Sequence, residues 1–136
     1  MKRDVTNQIV LCDSDSLPHE DLDLSALDDR DRRRGYMKCV YHFIIKRDGE
    51  IEHGHRKHGE PAMGLGHWNN DSVSICLVGG RGTPPFTRPQ LASLKDLLEE
   101  LQDEYPNAVV TYHHLINKKM ADRGLDLVAL SKDLLP

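Results

Sequence analysis

The 136-residue chain carries 18 Lys and Arg against 22 Asp and Glu, a formal net charge of −4, and 38% hydrophobic residues. That length supports one domain around one core. The acidic balance argues against the broad basic surface of a nucleic-acid binder, and no stretch approaches the roughly 18 consecutive apolar residues of a membrane span.

The opening MKRDVTNQIVL has only a short apolar run, IVL, so it does not read as a signal peptide, and the expected location is the cytoplasm. Residues 8–12, QIVLC, read as a short buried strand. Residues 13–34 are polar and acidic, with a weak helical pattern around Leu22, Leu24 and Leu27. There Arg30, Arg32, Arg33 and Arg34 interleave with Asp28, Asp29 and Asp31, the pattern of a solvated helix face. Residues 39–46 read as a second strand. Asp48-Gly49 signals a hairpin turn, and residues 50–53 return.

Residues 53–71 are rich in Gly, His and Asn and lack periodicity, a long loop of the kind that often carries function. Residues 72–78 form a strand closed by Gly79-Gly80, and 81–86 a turn. The clearest helix starts at Thr87. Thr87 and Gln90 make a capping box, Pro89 is tolerated in the first turn, and Leu91, Leu94, Leu97, Leu98 and Leu101 form one apolar stripe. Tyr105-Pro106-Asn107 ends it, residues 108–112 are the next strand, and a short helix follows over 126–134. The fold class expected is α/β in a single domain over 1–136, a central mixed sheet flanked by helices.

Three cysteines at wide spacing make a poor disulfide framework. Cys39 and Cys76 lie in or beside strand-like runs and read as buried, inert core residues. Cys12 is different, because it ends an apolar run just before Asp13. Cys12, His113 and Asp122 are metal-ligand types at or beyond strand ends, and adjacent strand ends can converge on one point. A three-ligand zinc site with an open fourth position requires that convergence. Each also reads as ordinary structure, Cys12 as a core residue and His113 as a locally bonded histidine. Tyr41 and His42 alternate faces at the head of the second strand, where a tyrosine hydroxyl can stabilise an oxyanion. Lys119 sits in the loop with Asp122, as a further electrostatic stabiliser or one of a solvated surface pair with Lys118. His67, Trp68 and Asn69 in the long loop offer a contact surface for a sugar or a peptide.

The runs GYMKCVYHFIIKRDGEIE, NNDSVSICLVGG, FTRPQLASLKDLLEEL and VVTYHHLINKK, in that order, resemble the phage-type N-acetylmuramoyl-L-alanine amidases, and within them the T-odd coliphage lysozymes. This family shares its fold with peptidoglycan-recognition proteins. The resemblance implies zinc-dependent cleavage of the lactyl-L-alanine amide of peptidoglycan by a phage endolysin made in the host cytoplasm. It implies zinc on Cys12, His113 and Asp122 and catalytic assistance from Tyr41 and Lys119; the family's substrate-contacting loop histidine would fall on Gly64, three residues from His67, and His42, His67, Trp68 and Asn69 are the candidate substrate contacts. The chain departs from the family where Cys12 takes the place of the first-ligand histidine. It departs again where Lys119 and Asp122 stand as K-x-x-D rather than K-x-D. A thiolate plus a carboxylate cancels the charge of the dication, which weakens its polarising power. The alternative reading is therefore a non-hydrolytic relative that binds peptidoglycan or a regulatory partner such as the phage RNA polymerase.

Overall fold

The computed structural model describes residues 5–36, 39–54, 71–81 and 86–112. Seven elements follow in chain order: β1 (Gln8–Asp13), α1 (Leu24–Arg33), β2 (Phe43–Ile45), β3 (Ile51–His53), β4 (Ser72–Leu77), α2 (Arg88–Glu104) and β5 (Val109–Tyr112). The strands form a single sheet in the order β3-β2-β4-β1-β5. Only the β2–β3 hairpin is antiparallel; β2–β4, β4–β1 and β1–β5 are parallel. The expected helix over 126–134 lies outside the described residues.

Alternation along the strands sorts the core into two layers. Ile9, Leu11, Phe43, Ile45, Val73, Ile75 and Leu77 pack with Leu94, Leu97, Leu98 and Leu101 of α2. Val10, Cys12, Ile44, Cys76 and Val78 pack on the other face with Leu27 of α1. The chain therefore leaves β1 through α1 toward β2, and leaves β4 through α2 toward β5, in opposite directions. The carboxyl ends of β1 and β4 form the switch point of the sheet, where α/β folds place their ligands.

Local chemistry sets the element boundaries. Asp23 caps α1 by accepting from the Ala26 N–H at 2.9 Å. The weak leucine pattern thus resolves into a ten-residue helix, Leu24–Arg33. The hairpin turn closes through Gly49 at φ 91°, a left-handed backbone that favours glycine. The second strand is shorter than its composition suggests. Residues 39–42 are buried and precede the ladder, with His42 already donating its N–H to the Ser74 carbonyl of β4 at 3.2 Å. The N–H groups of Cys39 and Val40 are taken by side-chain carboxylates of α1 rather than by a neighbouring strand.

The capping box of α2 also ties the sheet together. Gln90 is fully buried, and its Nε2 donates to the carbonyls of Ile45 at 3.0 Å and Val78 at 2.7 Å. Its Oε1 accepts from the Thr87 N–H at 2.9 Å and from Arg47 at 3.4 Å. One side chain thus joins the helix start to the ends of β2 and β4. Gln90→Leu keeps the volume and loses all four bonds, stranding the Thr87 N–H. The expected cost is about 3 kcal/mol, at about 1–3 kcal/mol for each buried polar group left unpaired. A fall in the urea midpoint with an unchanged slope would register it.

Candidate active site

Of the residues expected to form the site, Cys12, Tyr41 and His42 lie within the described structure. His67, Trp68, Asn69, His113, Lys119 and Asp122 lie outside it. Leu11 and Tyr112 are paired across β1 and β5, so the strand carrying Cys12 runs beside the strand whose next residue in sequence is His113. Among the described residues no three His, Cys, Asp or Glu side chains are grouped to hold a metal.

Cys12 and Tyr41 belong to one buried cluster on the α1 face, with Val10, Leu27, Cys39, Val40, Ile44, Cys76 and Val78. Cys12 is 5% exposed and Tyr41 8%. Burial raises the Tyr41 phenol well above its ordinary value, and the neighbouring Cys76 and Cys12 add to the effect. The phenol is therefore neutral at any physiological pH and available as a hydrogen-bond donor.

His42 is 1% exposed and faces the sheet interior, where its partner is Ser74 of β4. Its Nδ1 accepts the Ser74 N–H at 3.0 Å, and its own N–H donates to Ser74 Oγ at 3.1 Å. A ring that accepts at Nδ1 carries its proton on Nε2, so the tautomer is fixed by the neighbouring strand. His42 thus ties β2 to β4 directly beside Tyr41.

The backbone around Tyr41 is held closely from two sides. Asp28 Oδ1 accepts the Cys39 N–H at 2.8 Å, and Asp31 Oδ2 accepts the Val40 N–H at 3.1 Å. Gly54, at the end of the hairpin, donates its N–H to the His42 carbonyl at 2.8 Å. A Cβ on Gly54 would stand 2.0 Å from the Tyr41 carbonyl oxygen, so only glycine fits. The acidic run in α1 therefore departs from the expected solvated face. Arg32, Arg33 and Arg34 are exposed, but Asp28 is 7% exposed and Asp31 is fully buried. Leu24, Leu27, Asp28 and Asp31 stand three and four residues apart on one helical stripe. That spacing marked the inward face, and the charge pattern obscured it.

Beyond the strands, β1 and β4 stay joined. Ser14 N–H donates to the Leu77 carbonyl and Ser16 N–H to the Gly79 carbonyl. Ser14 Oγ accepts the Gly79 N–H at 2.8 Å and lies 2.6 Å from Ser16 Oγ. Gly80 sits at φ 105°, and a Cβ there would meet the Asp13 carboxylate at 2.6 Å. Arg81 pairs with Asp15 at 2.9 Å on the outside. These bonds continue the β1–β4 pairing beyond the strand ends.

All three thiols are free and buried, as expected for Cys39 and Cys76. Burial, reinforced by Asp13, pushes Cys12 up to about 12. Burial likewise pushes Cys39 up to about 12 and Cys76 well above its ordinary value. Neutral thiols are poor nucleophiles. Iodoacetamide at pH 8 is therefore expected to leave all three unmodified in the native protein and to label all three in denaturant. The unfolded chain loses these protons near pH 9.0, and the folded chain holds them until near 12 for Cys12 and Cys39. Stability should be intact below pH 9.0 and fall as the pH climbs toward 12.

The described sheet is five-stranded and mixed, with α2 on one face and α1 on the other, and Tyr41 lies buried just ahead of the β2–β3 hairpin at its edge. The N-acetylmuramoyl-L-alanine amidase family model matches residues 5–125. An endolysin of Enterobacteria phage K11 is 34% identical over 87% of this chain and 81% of its own length. The endolysin of Escherichia phage T7 is 32% identical over the same shares. Among solved structures, the Ph2119 endolysin from a Thermus scotoductus bacteriophage superposes with a TM-score of 0.78 at 19% identity, covering 100% of this chain and 90% of that one. The chain belongs to the N-acetylmuramoyl-L-alanine amidase family.

Proposed function

We propose that this chain is an endolysin-type N-acetylmuramoyl-L-alanine amidase. Its substrate would be the amide joining the muramic acid lactyl group to L-alanine in peptidoglycan, reached after release to the cell wall. The family match along residues 5–125 carries this reading. The neutral, closely held Tyr41 supports it from the side of the chemistry.

In this reading the Tyr41 hydroxyl donates a hydrogen bond to the oxygen that gains charge as the amide carbon becomes tetrahedral. Lys119 supplies a second contact to that oxygen, and a positively charged one. A donor fixed before the reaction stabilises the charge without reorganising, which is where most of the gain in such sites arises. His42 holds the Tyr41 segment against β4. His67, Trp68 and Asn69 contact the glycan or the peptide stem.

The family is generally zinc-dependent. The donor types of Cys12, His113 and Asp122 suit zinc, and Leu11, the residue before Cys12, pairs with Tyr112, the residue before His113 in sequence. When bound there, zinc would supply an activated water and polarise the amide carbonyl. The Cys12 thiol holds its proton up to about 12, so metal affinity would rise with pH.

The test is release of L-alanine peptides from purified cell wall, with bound zinc measured on metal-purified protein. Turnover with stoichiometric zinc, lost in Cys12→Ala and His113→Ala, supports the assignment. Absence of zinc together with no turnover at high protein concentration would overturn it. A large rate gain in Cys12→His would trace any weakness to that one position.

A further inference from the structure

Two buried carboxylates on α1 have no part in the proposed chemistry, yet both reach the same short segment. Asp31 is fully buried and Asp28 nearly so, and burying a carboxylate is costly unless strong hydrogen bonds compensate. Their bonds go to consecutive N–H groups, those of Cys39 and Val40, just ahead of Tyr41. Those two N–H groups precede the ladder, and bonding to β4 begins only at His42, whose N–H donates to the Ser74 carbonyl. Asp31 is itself held, because its Oδ1 takes Arg34 Nη1 at 3.1 Å while Oδ2 holds Val40. On the far side, Gly54 closes on the Tyr41 carbonyl.

From these contacts we infer that Asp31, seconded by Asp28, is a positioning residue that sets where the Tyr41 hydroxyl stands. Charge-assisted bonds to N–H groups are short and directional, which suits a segment needing a single conformation. The inference rests on Tyr41 serving as the oxyanion donor. A donor displaced by a fraction of an ångström loses transition-state stabilisation while ground-state binding persists.

The experiment compares Asp31→Ala and Asp31→Asn with the parent protein on purified cell wall. Asp31→Ala should lower kcat by about tenfold to a hundredfold with KM within about twofold. Asp31→Asn retains an oxygen acceptor for the Val40 N–H and should recover most of that loss. An unchanged kcat in Asp31→Ala, or an asparagine variant as impaired as the alanine one, overturns the inference. Should Asp31→Ala not fold, Asp28→Ala carries the same test through the Cys39 bond. Should the parent show no turnover, the functional reading fails, and NMR of the Tyr41 ring decides the structural claim. Ring signals that move in the variant while other core signals stay fixed support positioning. Ring signals that stay put overturn it.

Discussion

Tyr41→Phe is expected to lower turnover on purified cell wall by about a hundredfold or more, with little change in stability. The size follows from removing one preorganised donor to a developing oxyanion, which typically costs about 10²–10³ in kcat. Stability should hold because the ring stays in its cluster with Val10, Leu27, Val40 and Ile44, and only the hydroxyl is lost. Near-conservative exchanges of this kind shift stability by less than about 1.5 kcal/mol. KM should stay close to that of the parent, since the interaction forms only in the transition state. A phenylalanine variant with parental turnover would remove Tyr41 from the chemistry. One that is inactive but also unfolded would mark the hydroxyl as structural.

Gly54→Ala should be the most damaging single-methyl change in the described structure. Its Cβ would stand 2.0 Å from the Tyr41 carbonyl oxygen and 3.4 Å from that of His42, both main-chain atoms that no rotamer change can move aside. Relief requires the hairpin to part from the Tyr41 segment, which stretches the Gly54 N–H bond to His42. Overpacking with backbone displacement costs about 1–3 kcal/mol or more, and the upper end is expected here. Activity should fall further than stability, because the displaced atoms belong to the Tyr41 backbone. Thermal unfolding and turnover, measured on the same preparation, separate the two effects. Full activity with parental stability would show that the hairpin yields freely at this point.

Much of the fold was legible because the signals were local. The T-x-x-Q box and leucine stripe gave α2, Asp48-Gly49 gave the hairpin turn, and apolar runs gave β1 and β4 to within about a residue. The site was less so, because its geometry depends on contacts between distant segments. Nothing in the run KCVYHFII shows that the N–H groups of Cys39 and Val40 are held by carboxylates and that bonding to β4 begins only at His42. Asp28 and Asp31 read as solvated because charge normally faces water, and only their register with Leu24 and Leu27 pointed inward. His42 was legible only as a ring alternating faces with Tyr41 at the head of a strand, and its bond to β4 was not. The Ser74 N–H that donates to its Nδ1 lies on β4, far along the chain.

The carboxylate bonds to Cys39 and Val40 also bear on the order in which the molecule assembles. They close loops of only eleven and nine residues, whereas β1 must find β4 and β5 by pairing Gln8 with Ser72 and with Val109. Short loops close at lower entropic cost and generally sooner. The helix, the carboxylates and the Tyr41 segment can therefore form a local unit before the sheet is complete. Tyr41 would then be seated early, and the long-range strands would assemble around it.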